Sequence, residues 1–301
     1  MTGKKKGFFS RIFSKSKDNN KEGQKAEPEQ EEDHKKAFQP EDDHQKEEEV
    51  TFTKTGVPGF DSLTEQGVPE GSAILVEGGP GSGKTIFCLT TAFNACKQGK
   101  KVLYMSFEEP EHRLRSHMKN FGWDPSEYEK KNQLMIKRFN ALDIARSVEA
   151  LLSEAKKELL IEVQPILIPK DFDPDIVLVD SLSSIASAFS GEESRFRVYM
   201  EQLFRYLESH QMTSFLIRET ASPTHIGRTF VEKGEAVSFL SDGIIAIYNV
   251  IRDTGKRERA LEIIKMRGTD IKRNIVKAEV SKGKGFIVYP DEYVKGSYRL
   301  T

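Results

Sequence analysis

Disulfide chemistry is the first thing this sequence leaves out. Only two cysteines occur, Cys88 and Cys96, and they fall about two turns apart on what reads as a single helix. At about 1.5 Å per residue that is about 12 Å along the axis, beyond the reach of a disulfide. They read instead as packing thiols of a reducing compartment. Long hydrophobic runs are missing too. Nothing approaches the roughly 18 consecutive apolar residues of a membrane span. No apolar core of about 7–15 residues follows the basic start to make a secretory signal, so a cytoplasmic protein is expected. Excess charge of either sign is absent: the formal net charge is −1, which gives no global attraction to nucleic acid or to a lipid surface. No internal repeat at a period of about 20–50 residues is visible.

What the average charge conceals is segregation. Residues 1–17 carry Lys4, Lys5, Lys6, Arg11, Lys15 and Lys17 and no acid, whereas residues 18–49 carry 13 Asp and Glu against 5 Lys with almost nothing apolar. Such a stretch buries too little surface to offset its ordering entropy, so 1–49 is expected to be a disordered, bipolar tail. Within it Phe8, Phe9, Ile12 and Phe13 fall on one helical face beside the lysines. Residues 4–17 therefore read as a surface for an anionic membrane, as a peripheral anchor, as a surface for a protein partner, or as a tail that docks on nothing. The globular part, 50–301, holds about 250 residues, enough for one α/β core.

Between residues 78 and 85 the chain reads Gly78-Gly79-Pro80-Gly81-Ser82-Gly83-Lys84-Thr85, the pattern G-x-x-x-x-G-K-[ST]. An apolar run of strand length, Ser72–Glu77, precedes it, and a helical pattern, Ile86–Phe93, follows. Glycines let a backbone wrap an anion with its N–H groups pointing inward, and the helix N-terminus adds positive potential. In that setting Lys84 neutralises the β- and γ-phosphates of a nucleoside triphosphate and Thr85 holds Mg²⁺ through its hydroxyl. A glycine-rich turn with a chance lysine is the bland alternative, and the flanking strand and helix argue against it.

Strands and helices alternate onward: strands over 73–77, 101–106, 133–138, 175–180 and 213–219, helices over 84–97, 110–120, 144–163 and 195–210. This predicts a mostly parallel twisted sheet flanked by helices. From Gly243 the pattern becomes β-hairpins over 244–250, 260–266, 275–280 and 286–289, so the sheet is expected to end in antiparallel strands. Ligands of such sheets sit at strand carboxyl ends, and three ends besides the glycine loop carry suitable groups. Ile176–Val179 leads into Asp180, a carboxylate placed to hold a metal-bound water or, alternatively, to cap the next helix. Val102–Ser106 leads to Glu108-Glu109, which either orient an attacking water or simply open a helix whose dipole favours acids. Thr213–Ile217 leads to Arg218-Glu219. Lys265 and Arg267, taken alone, read as a solvated basic pair on an edge strand. The segment 221–236 carries Arg228 and Lys233 but no basic cluster with aromatics, and Glu232 and Glu235 sit beside them, so no nucleic-acid partner is expected. His225 reads as a solvated loop residue.

Thr55-Gly56-Val57-Pro58-Gly59-Phe60-Asp61-Ser62-Leu63, then Gly67–Ser72, the loop 78–85, Tyr104–Glu109, Phe121-Gly122-Trp123-Asp124, Ile176–Asp180 and Lys265-Met266-Arg267-Gly268-Thr269 stand in the order of one family. On these motifs the chain resembles KaiC-like ATPases of the RecA superfamily over about residues 50–290. The resemblance implies a RecA-like P-loop NTPase fold that binds ATP and Mg²⁺ and hydrolyses ATP slowly for a regulatory or signalling output. It implies that Glu108 and Glu109 activate water, and that Lys265 and Arg267 reach the γ-phosphate held by a neighbouring subunit, within a homohexameric ring. The better-known clock proteins have two tandem domains and an adjacent Ser-Thr autophosphorylation pair. This chain has one domain and Ser238-Phe239, so only Ser238 is a candidate acceptor. Two other classes fit the motifs: a nucleotide-gated scaffold with little hydrolysis, and a RecA/RadA-type recombination accessory.

Overall fold

The computed structural model describes residues 50–155, 168–169, 171–220 and 235–301. The expectations placed on the tail 1–49, including its lipid- or protein-binding stretch 4–17, lie outside the described residues. So do the far end of the helix expected over 144–163 and the loop residues His225, Arg228 and Lys233. The described residues belong to one compact unit, Glu48–Thr301.

A two-stranded ribbon, β1 (Phe52–Thr53) with β2 (Val68–Pro69), leads in. Then follow β3 (Ala73–Gly78), α1 (Lys84–Lys97), β4 (Val102–Ser106), α2 (Glu111–Asn120), α3 (Pro125–Lys130), β5 (Leu134–Arg138) and α4 (Ala141–Ala155). After them come β6 (Ile176–Asp180), α5 (Leu182–Ala188), α6 (Glu193–Ser209), β7 (Thr213–Glu219) and α7 (Glu235–Leu240). The chain closes with β8 (Gly243–Arg252), β9 (Arg257–Met266), β10 (Val276–Ser281), β11 (Gly285–Tyr293) and β12 (Tyr298–Leu300).

The main sheet runs β11-β10-β9-β8-β3-β7-β6-β4-β5, with β12 added to the far end of β8. The six strands from β8 through β5 pair in parallel, while β9, β10, β11 and β12 pair antiparallel, as the hairpin signals predict. Strands β3, β4 and β6 are buried along their whole length, which is why they read as continuous apolar runs rather than alternations. Alternate residues still part to two faces. Ile74 and Val76 face a layer containing α1 and α2, whereas Ala73 and Leu75 face a layer containing α4, α5 and α6.

Helix α1 is the element that must hold still if the glycine loop is to work. Its Phe87 is fully buried, with ring centroids 5.3, 6.3 and 5.5 Å from those of Phe60, Phe215 and Phe286. Deleting such a ring typically costs about 3–5 kcal/mol, so the loop is carried on a firmly seated helix. Cys88 and Cys96 are both buried, unpaired thiols, as expected. Burial pushes Cys88 up and Cys96 to about 12. Several short elements were not anticipated: α3, α5, α7, β12 and the β1–β2 ribbon. The helix expected from residue 144 begins at Ala141. Among the described residues no helix is long and apolar enough to cross a membrane.

Candidate active site

Strand register assembles the site. Gly78 pairs with Glu219 and Ser106 with Asp180, so the carboxyl ends of β3, β7, β6 and β4 open on one edge of the sheet. A cavity of about 280 Å³ lies there, lined by the glycine loop, Thr85, Glu108, Glu109 and Asp180. The loop needs its glycines for different reasons. A Cβ at Gly78 would stand 2.2 Å from the Ile247 carbonyl oxygen and 2.7 Å from Ser82 Oγ. Gly81, at φ +73°, has open space where a Cβ would go, so a left-handed backbone faces the cavity.

Lys84 is buried, and its Nζ donates to the carbonyls of Gly78 and Gly79 at 2.9 and 3.0 Å. Glu219 Oε1 lies 3.6 Å away as counter-charge. Burial lowers the Lys84 pKa, opposed by the charges of Glu219, Asp180 and Glu108. Thr85 Oγ1 donates to Asp180 Oδ2 at 2.9 Å, and the Tyr104 hydroxyl donates to the same oxygen at 2.7 Å. Asp180 is itself buried. That raises its pKa; the Tyr104 and Thr85 hydrogen bonds pull the other way, and the charge of Glu108 adds to the rise.

The two adjacent acids part company. Glu108 Oε1 accepts from Ser181 Oγ at 2.5 Å and from Ser184 Oγ at 2.8 Å. Glu109 turns toward α2, with Oε2 3.7 Å from His117 Nε2 and 4.0 Å from Arg113 Nε. That oxygen is buried and accepts no hydrogen bond among the described residues. Ser181, not Asp180, is the N-cap of α5, accepting from Ser184 N at 3.4 Å. The capping alternative for Asp180 is thereby removed.

Lys265 and Arg267 are not part of this edge. Lys265 pairs with Ile244 and Met266 with Gly243, which in turn pairs with Ile74 near the amino end of β3. From Ile74 to Gly78 is four residues, about 13 Å of strand, and the bonds of Lys265 and Arg267 are made at the amino end instead. Lys265 Nζ donates to the carbonyls of Ser241 and Ser238, the latter at 3.4 Å. Arg267 donates to Asp242 Oδ1 at 3.2 Å and to Phe239 O at 3.5 Å. Ser238 Oγ accepts from Arg218, near the carboxyl end of β7, at 2.8 Å. Two titratable side chains that line the cavity carry no signal in the motifs: His117 and Arg259, whose Nη2 lies 3.4 Å from Gly81 O; Tyr104 and Ser184 lie outside the lining and act on it through Asp180 and Glu108. Only His117 had a local signal, four residues after Arg113 on one helical face.

The donor set fits a magnesium nucleoside triphosphate: a glycine cradle with open space at Gly81, a buried ammonium, a buried Ser82 hydroxyl without a partner among the described residues, and a hydroxyl–carboxylate pair. Residues 53–293 match the family model described as "ATPase: KaiC". The chain belongs to the KaiC ATPase family. A UPF0273 protein of Pyrococcus horikoshii is 32% identical over 80% of this chain and 95% of its own length. One of Aeropyrum pernix is 31% identical over 84% of this chain and 99% of its own. The circadian clock protein KaiC3 of Synechocystis is 29% identical over 79% of this chain, which spans 45% of that longer protein. Among solved structures, a KaiC-like protein of Pyrococcus horikoshii matches with a TM-score of 0.64 at 27% identity, over 80% of this chain and 100% of that one. The fold is therefore the RecA-type α/β fold of KaiC-like ATPases, a parallel sheet flanked by helices and ending in antiparallel strands.

Proposed function

We propose that this KaiC-family chain binds Mg·ATP in the cavity and hydrolyses it slowly, as a homo-oligomeric ring with a regulatory or signalling output. One observation carries the reading: a buried lysine on a glycine loop, a threonine–aspartate pair and two carboxylates converge on a single cavity. The loop amides and Lys84 hold the phosphates, which take over the counter-charge role of Glu219. Thr85 and Asp180 are the residues that would hold Mg²⁺. The ion, when bound, neutralises charge on the β- and γ-phosphates. Glu108, pinned by two serine hydroxyls, and Glu109, which lines the same cavity, orient the attacking water and accept its proton. Lys265 and Arg267 act on the nucleotide of a neighbouring copy, a role supported by their bonds at the amino end of the sheet rather than at their own loop, and a hexamer is the expected closed form. The basic stretch 4–17 is the segment through which such an assembly meets an anionic membrane or a protein partner; co-sedimentation with anionic vesicles separates the two.

Phosphate release from Mg·ATP tests this reading. Replacing both acids, Glu108→Gln with Glu109→Gln, should leave ATP affinity within about twofold and lower turnover by about 10²-fold or more. Unchanged turnover in that variant removes the assignment. ATP-dependent assembly by light scattering with no phosphate release from the wild type would favour the scaffold reading instead.

A further inference from the structure

Tyr104 is fully buried on β4, among the apolar side chains that face α1 and α2. Its neighbours there ask for nothing polar, and a phenylalanine would satisfy them equally. The hydroxyl is what departs from the pattern, and a buried tyrosine hydroxyl needs a partner. It finds one in Asp180 Oδ2 at 2.7 Å, across the β4–β6 pairing and 76 residues along the chain. A phenol is protonated throughout the neutral range, so the group is a donor to the carboxylate.

The same oxygen accepts from Thr85 Oγ1 at 2.9 Å. One carboxylate atom is thus gripped from two directions, by β4 and by the first turn of α1. The Thr85 bond sets which way that hydroxyl points: its hydrogen goes to Asp180, leaving oxygen lone pairs for the cavity. The Tyr104 bond fixes the acceptor on which this orientation depends. Two donors on one oxygen define the carboxylate's rotamer, whereas a single one would let it swing about its Cβ–Cγ bond.

We propose that Tyr104 is a positioning residue for the divalent cation: it touches neither nucleotide nor metal, but holds Asp180 and, through it, Thr85 in the orientation that binds Mg²⁺. This rests on the reading of the cavity as a Mg·ATP site. Partners in the outer shell of a metal site commonly carry 10–100-fold in affinity.

The test measures the affinity of a fluorescent, non-hydrolysable ATP analogue in Mg²⁺ and in EDTA, so that the ratio isolates the metal's contribution. Wild type should bind more tightly with Mg²⁺. Tyr104→Phe should bind within about twofold of wild type in EDTA yet lose about tenfold of the Mg²⁺-dependent tightening. Placed in an Asp180→Asn background, Tyr104→Phe should change the ratio no further, because the acceptor it orients is gone. A far-UV melt confirms that both variants are folded. Full Mg²⁺-dependent tightening in Tyr104→Phe overturns the proposal, and so does an equal loss in EDTA and Mg²⁺, which marks a merely structural role. Wild type that binds no nucleotide, or binds it identically in the two buffers, overturns the Mg·ATP reading itself and takes this inference with it.

Discussion

Glu70 shows how one surface carboxylate can be bound into a fold by short polar contacts. It accepts from Thr51 Oγ1 at 2.8 Å, Thr53 Oγ1 at 2.7 Å and Lys100 Nζ at 2.9 Å, tying the entry ribbon to the turn after α1. The Lys100 hydrogen bond, followed by those of the two threonines, lowers its pKa from 4.5 to about 2. Because the folded value lies below the unfolded one, the associated stability is fully present above about pH 5. It is lost as pH falls through 4.5 toward about 2. The pair is half-buried and still reached by solvent, so the effect is partly screened by salt. Glu70→Gln should therefore lower the melting temperature at pH 7 and converge with wild type near pH 2. Melting curves that stay parallel across that range would show that the charge is not what matters.

Elements differ in how openly the sequence announces them. The strand, glycine loop and first helix are legible because the signal is local: an apolar run, a fixed motif and a helical period adjoin. The hairpins β8–β11 are legible for the same reason. Helix α3 was passed over although Asp124 accepts from Ser126 N at its start and Pro125 opens its first turn; six residues are too few to display a period. In the site, the loop and the acids at strand ends could be read from spacing. Tyr104 and Arg259 could not, because their meaning arises only when β4 lies beside β6 and β9 folds back over the loop. Gly59 makes a similar point for the entry segment. Its φ is +79° and a Cβ there would stand 1.9 Å from Val288 O on β11; Gly255, in the β8–β9 turn, shares that φ with nothing within 4 Å. Gly255→Ala should cost about 1 kcal/mol in left-handed strain, and Gly59→Ala about 2 kcal/mol or more beyond that, as a backbone clash is added. Urea unfolding midpoints compare the two directly, and equal losses would mean that the close approach to β11 is not what requires glycine at 59.

At the scale of the whole molecule, the candidate site residues fall into two groups at opposite ends of the parallel strands. The cavity end carries Glu108, Glu109, Asp180 and Glu219; the amino end carries Lys265 and Arg267, beside the exposed ring of Phe239. A copy that lends its cations to a neighbour and borrows them from another makes a directional, head-to-tail contact. The consequence is one of counting. Under the proposed sharing, an open row would hold one fewer complete catalytic centre than copies, since the last cavity would have no lender. Closing the row supplies the missing lender without any new kind of contact. Broken halves should also be able to repair one another. Chains bearing Lys265→Ala with Arg267→Ala, and chains bearing Glu108→Gln with Glu109→Gln, should each be inactive alone. Co-expressed in equal amounts they should recover about a quarter of the wild-type phosphate release, because that share of junctions joins an intact acid pair to an intact cation pair. No recovery in co-purified mixtures would mean that each cavity works with its own chain's residues alone. Recovery would make activity a property of junctions, with single chains holding only the two halves.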